Sequence, residues 1–135
     1  MSMTLSDLTE WVRKVNTDNG WRDNTEEALT GSARANALIK DIALIDTEAA
    51  EGIEEVRNGN DIQAYYSDGT GERYLEPKAL DGSLRKPEGL PSELADVVIR
   101  AVDTADKWGI DLESAIEVKM RFNASRGHRH GGKVA

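Results

Sequence analysis

An all-α fold, an antiparallel bundle of about four helices with a long loop between the second and third, is what this sequence predicts. Three observations lead there. Apolar residues recur at helical spacing in four stretches, stops such as Asn19-Gly20, Asn58-Gly59 and Gly109 separate them, and aromatics make up only 5% of the 135 residues. A core so poor in rings is aliphatic and alanine-rich, which suits packed helices.

The first helix is expected from Thr4 to about Asn16. Thr4 with Asp7 resembles a capping box, and Leu5, Leu8, Val12 and Val15 make its stripe. The second runs from about Ala33 to Asn58, with Leu38, Ile42, Ile45, Ala49, Ile53 and Val56 at helical spacing. Residues 60–89 read as an inserted loop rich in Gly, Asp and Lys/Arg. Within it Ala64-Tyr65-Tyr66 and Arg73-Tyr74-Leu75 flank a glycine turn, the pattern of a small β-hairpin. A loop of this length is either functional or a plain surface insertion. The third helix spans about Pro91 to Trp108, with Leu94, Val97, Val98, Ala101, Val102 and Ala105 as its stripe, and Asp111 caps a fourth from Leu112 to about Ser125. Residues 127–135 form a basic tail containing His128 and His130, and the whole of 1–135 is expected to be one domain.

Charge narrows the function classes. The net charge of −8 repels a nucleic-acid backbone, so no nucleic-acid partner is expected. No cysteine is present, which removes thiolate metal sites and cysteine nucleophiles. Met1-Ser2-Met3-Thr4 does not begin a secretory signal, and no apolar run is long enough to span a membrane. A cytoplasmic protein with no membrane contact is expected. Glycine-rich phosphate loops, serine elbows and dinucleotide fingerprints are absent.

Two carboxylate pairs carry the chemistry. Glu48 and Glu51 on the second helix, and Glu93 and Asp96 on the third, are each three residues apart, so each pair shares a helix face. One such pair alone is ordinarily a solvated face. Here the carboxylate side of the second helix also carries Leu44 and Gly52, and the second pair repeats the spacing on another helix. Brought together, four carboxylates repel and call for a hard divalent cation, Mg²⁺ most naturally and Mn²⁺ as an alternative. Arg100, four residues after Asp96, could meet a phosphate, and Glu55 and Asp103 extend the two acidic ridges as candidates for the outer shell of a metal or, more ordinarily, as solvated acids.

On the fourth helix the stripe Leu112, Ala115, Ile116 continues onto Lys119, Asn123 and Arg126. These residues either meet an anion below the surface or snorkel from the end of the bundle. Trp21, following Asn19-Gly20, could stack on a base, although core packing is the usual fate of a tryptophan.

In these residues the chain resembles the MazG-like nucleoside triphosphate pyrophosphohydrolases, an all-α family. The carriers are Glu48 and Glu51, Glu93 and Asp96, the segment Lys86-Pro87-Glu88-Gly89-Leu90-Pro91-Ser92-Glu93-Leu94-Ala95-Asp96-Val97-Val98-Ile99-Arg100, Lys119-Met120 with Asn123 and Arg126, and His130-Gly131-Gly132-Lys133. The resemblance implies Mg²⁺ held by Glu48, Glu51, Glu93 and Asp96, and hydrolysis of a nucleoside triphosphate, a deoxynucleotide included, to monophosphate and pyrophosphate. Glu51 would accept a proton from water and Lys119 would steady the phosphates as catalytic groups. Trp21, Arg100, Asn123, Arg126 and Lys133 would complete substrate binding, and the family's habit implies a homodimer or homotetramer. Thr47 stands where many members have another Glu, and residues 60–89 exceed the family's usual connection. Two alternatives are a helical module whose acidic helices dock a basic protein, and a relative that binds nucleotides without turning them over.

Overall fold

The computed structural model describes residues 2–23 and 26–127, the side chain of Glu27 aside. In chain order these form α1 (Leu5–Asp18), a 3-10 turn at Glu26–Ala28, α2 (Gly31–Arg57), β1 (Tyr65–Ser67), β2 (Arg73–Tyr74), β3 (Lys86–Glu88), α3 (Leu90–Lys107) and α4 (Leu112–Ser125). The fold is mostly helical, as the sequence predicts, with a small sheet between α2 and α3 in the chain. No helix among the described residues is long and apolar enough to cross a membrane. Two compact units divide the chain, one drawn from Met1–Glu27 and Val102–Ala135, the other from Ala28–Ala101, so α3 contributes to both.

In the first unit Thr4 caps α1 in both directions. Its Oγ1 accepts from the Asp7 amide and its own amide donates to Asp7 Oδ2, each at 3.0 Å. Val12, Val102 and Ala105 are the buried apolar residues here. Beside them Asp106 gathers two arginines: Arg13 donates to its Oδ1 at 2.6 Å and Arg22 to its Oδ2 at 3.1 Å. Arg22 also pairs with Asp103 at 2.7 Å, so Asp103 serves this ion network and not the outer shell of a metal. These bonds, Arg13's foremost, hold the Asp106 carboxyl below the usual range.

Asp111 caps α4 by accepting from the Ser114 amide at 3.1 Å. The expectation that α4's stripe turns inward is corrected. No α4 residue is buried, Ile116, Val118 and Phe122 are 45%, 68% and 55% exposed, and Lys119 and Asn123 face solvent. Among the described residues of the stripe only Leu112 at its start and Arg126 at its end are half-covered.

In the second unit the predicted hairpin is present, β1 pairing antiparallel with β2 through Tyr66 opposite Tyr74. A third strand that the sequence reading missed lies on the other side of β1, with Tyr65 opposite Glu88 and Tyr66 opposite Pro87. Pro87 sits where a sheet tolerates it, on an edge strand whose outer amides need no partner. Gly89 then turns the chain into α3 at φ 93°, and a β-carbon there would lie 2.3 Å from the Gln63 carbonyl oxygen. Only glycine fits.

The second correction concerns which face of α2 is covered. Ile42, Ile53 and Val56, assigned to the apolar stripe, are 50%, 55% and 49% exposed. The buried residues are Ala37, Glu48 and Gly52, on the carboxylate side.

Candidate metal centre

Burial of the carboxylate face begins with Gly52. Lacking a side chain, it lets α3 come so close that a β-carbon there would lie 3.1 Å from Leu90 Cδ1 and 3.6 Å from Glu93 Cβ. That approach delivers Glu93 to Glu48 and Glu51, and the three carboxylates each offer an oxygen within 4.8 Å of the others. Glu48 is 7% exposed, Glu93 half-buried and Glu51 open to solvent.

Like charges this close in a partly desolvated place resist ionisation. Burial, then the neighbouring Glu51, with Glu48 and Asp96 adding to it, pushes the Glu93 carboxyl up to about 7. Glu93 Oε2 is buried with no hydrogen-bond partner. The adjacent Glu51 carboxyl can bond to Glu93 only while one of the two keeps a proton. A buried acceptor without a donor, facing two further carboxylates, is what a hard cation satisfies, and an all-oxygen donor set suits Mg²⁺, Mn²⁺ or Ca²⁺.

The sequence placed four carboxylates in one group, and three converge. Asp96, half-buried, stands outside the triad but close to it. Burial and then Glu48 raise its carboxyl, while Arg100 and Lys86 partly offset the rise. Arg100 donates from Nε to Glu48 Oε1, giving the most buried member a counter-charge. Glu55, one turn beyond Glu51, accepts from Asn60 Nδ2 at 2.7 Å and from the Tyr65 hydroxyl at 3.0 Å. It therefore ties the sheet to α2. Tyr65 and Lys86 were missed by sequence reasoning. Both lie in the short strands, where the only signals were an aromatic pair and a lysine preceding a proline.

Of the expected substrate contacts, Trp21 is 74% exposed. Lys119 Nζ lies 5.9 Å and the Arg126 guanidinium 5.5 Å from the Phe122 ring centre. An exposed Lys119 suits a docking surface as well as a phosphate contact. Lys133 and both histidines lie outside the described residues. No protein-family model, no curated protein and no solved structure matches the chain.

Proposed function

We propose that the chain is a divalent-metal-dependent nucleoside triphosphate pyrophosphohydrolase of the MazG-like kind, acting in the cytoplasm. The observation that carries this reading is the convergence of Glu48, Glu51 and Glu93, with Glu93 Oε2 buried and unpartnered. The spacing of these residues and the segment leading into α3 supply the resemblance to that family.

Glu48, Glu51 and Glu93 would hold the cation, with Asp96 at the edge of the set. Bound there, Mg²⁺ supplies charge neutralisation for a triphosphate and lowers the pKa of water. The chain's own residues do the rest. Glu51, the exposed member, accepts the proton of the attacking water. The water oxygen bonds to the α-phosphorus as the bond from that phosphorus to the bridging oxygen breaks, and pyrophosphate leaves with the electron pair. Arg100, which donates to Glu48, gives that carboxylate a counter-charge and orients it. Lys119, Asn123 and Arg126 are assigned to the phosphates, with Trp21 and Lys133 as further contacts to the nucleotide.

The test is pyrophosphate release from a panel of ribo- and deoxynucleoside triphosphates with Mg²⁺, alongside Mg²⁺-dependent melting. Release from one or more of them, abolished by chelation, is expected. Mg²⁺ and nucleotide stabilisation without release would mark a binding protein, and no response to Mg²⁺ would leave the docking module.

A further inference from the structure

Tyr65 and Tyr66 are neighbours on β1, so their side chains leave opposite faces of the sheet. The Tyr65 side chain meets α2, where its hydroxyl lies 3.2 and 3.0 Å from the two oxygens of Glu55, one turn beyond Glu51. Both residues are half-buried, and neighbours fix the contact from its flanks. Asn60 donates to the same Glu55 carboxylate at 2.7 Å. Arg73 donates to Asn60 Oδ1 at 2.8 Å, and its guanidinium lies 3.9 Å from the centre of the Tyr65 ring.

The same ring touches the entry to α3. A β-carbon at Gly89 would lie 3.3 Å from Cδ1 and Cε1 of Tyr65, so the ring rests on the Gly89 backbone. The Gly89 carbonyl oxygen in turn accepts from the Glu93 amide at 3.1 Å, the bond that opens α3. Across the sheet Tyr65 also pairs with Glu88, the residue before Gly89. One side chain thus joins α2 near Glu51 to the turn of α3 that carries Glu93.

That corner needs holding. Once ionised, Glu48, Glu51 and Glu93 repel one another, and the repulsion acts to part α3 from α2. Gly52 makes room for α3 but, having no side chain, offers little to hold it. Arg100 fastens α3 through Glu48, seven residues along from Glu93, and at the beginning of the helix the fastening is Tyr65. We infer that Tyr65 is a positioning residue of the metal centre: bonded to Glu55 and seated on Gly89, it holds Glu93 where Glu48 and Glu51 can share a cation with it. Residues 60–89 are then part of the framework of the site and not a plain surface insertion. This role rests on the cation-binding reading of the triad and is independent of the nucleotide.

Mg²⁺ affinity of the full chain is measured by calorimetry, well below the melting midpoint, for Tyr65→Phe and Tyr74→Phe. Each loses one hydroxyl from the same sheet, but Tyr74 bonds within its own hairpin, to Asp68 and Glu72. Tyr65→Phe is expected to weaken Mg²⁺ binding by roughly tenfold to a hundredfold, the loss usual when a residue that orients metal ligands is removed. It should also speed amide exchange in the first turns of α3. Tyr74→Phe should change neither. Glu55→Gln keeps an acceptor for the hydroxyl and should bind Mg²⁺ much as the unaltered chain does. Glu55→Ala should match Tyr65→Phe, and combining those two should add nothing further. A Tyr65→Phe protein that melts lower but binds Mg²⁺ normally would make the residue a purely structural clasp and overturn the proposal. So would a Glu55→Gln protein that loses as much affinity as Glu55→Ala, because the charge of Glu55 and not the tether would then matter. Failure of the unaltered chain to bind Mg²⁺ removes the metal reading and this role with it, whereas the first two outcomes leave that reading intact.

Discussion

Arg100 on α3 donates to the carboxylate of Glu48 on α2, so the most buried acid of the triad is neutralised by a residue that reaches it from the other helix. Arg100→Gln removes that charge and leaves Glu48 desolvated beside Glu51 and Glu93. Because Arg100 is itself 41% exposed, the expected loss in metal-free protein is about 1–2 kcal/mol, below the cost of breaking a fully buried pair. Mg²⁺ should recover much of it. A melting curve with and without Mg²⁺ decides, and an unchanged metal-free midpoint would reduce the pair to a surface contact.

Glu48→Gln and Asp96→Asn separate ligand from neighbour. Glu48→Gln should remove Mg²⁺-dependent stabilisation and turnover together, and lower metal-free stability by stranding Arg100. Asp96→Asn relieves repulsion on Glu48, so its metal-free protein should melt at the same temperature or slightly higher. Turnover should still fall, by roughly tenfold or more, if Asp96 orients a ligand or water. Full activity in both variants would remove the acidic cluster from the chemistry.

The pH dependence follows from Glu93. Its carboxyl titrates near 7 in the folded chain, against 4.5 when unconstrained, so the folded state holds this proton more tightly. The stability it contributes is complete below about 4.5 and is lost as pH rises through 7. Metal-free protein should therefore lose stability from this group between pH 5 and 8, relative to Glu93→Gln, which lacks the titration. Mg²⁺ competes with the same proton, so Mg²⁺ stabilisation should grow over that range. Identical pH profiles for the two proteins would show Glu93 to be an ordinary exposed acid.

Two glycines with similar backbones should respond differently to alanine. Gly89 and Gly59 have φ of 93° and 83°, but a β-carbon at 89 meets the Gln63 carbonyl at 2.3 Å and one at 59 meets nothing within 4 Å. Gly59→Ala should cost about 1 kcal/mol, the strain of a left-handed alanine. Gly89→Ala adds a backbone clash and should cost about 3 kcal/mol or more. Denaturant titration of the two is the measurement, and equal costs would mean the β3–α3 junction is looser than its geometry.

Lys119→Met tests the cationic end of α4. Lys119 is exposed and rests over Phe122 at 5.9 Å, so removing its charge should leave the melting temperature within about a degree. If it reaches phosphate during turnover, catalytic efficiency should fall tenfold to a thousandfold, roughly the range for one charged transition-state contact. Unchanged kinetics would take Lys119 out of the site.

Helix ends were legible in the sequence because short-range chemistry sets them. Thr4 with Asp7, Asp111 with Ser114, and the Asn-Gly stops act within four residues, and the helices begin and end close to where those residues place them. β3 was not legible. Lys86-Pro87-Glu88 has no alternation and contains a proline, and only its pairing with Tyr65–Ser67 makes it a strand. The covered face of α2 was read from its isoleucines, because hydrophobicity is the usual guide to burial. Packing there is decided by Gly52, whose missing side chain admits α3, and the carboxylates are carried in with it. The pairing of Glu48 with Glu51 needed only helix geometry, whereas the arrival of Glu93 depended on Gly52 admitting α3. The position of Asp96 beside the triad depended on how α2 and α3 meet, which spacing alone does not determine.

The contact at Gly52 also bears on how near the acids can come. Where two helices meet backbone against side chain, the closest approach is set by a hard stop and not by flexible packing. Leu90 against Gly52 is that stop, and it fixes a least distance between the backbones that carry Glu48, Glu51 and Glu93. A single methyl group at position 52 would move the stop outward by a few tenths of an ångström. The residue with no side chain would then be the one that decides how far the acids must reach to meet.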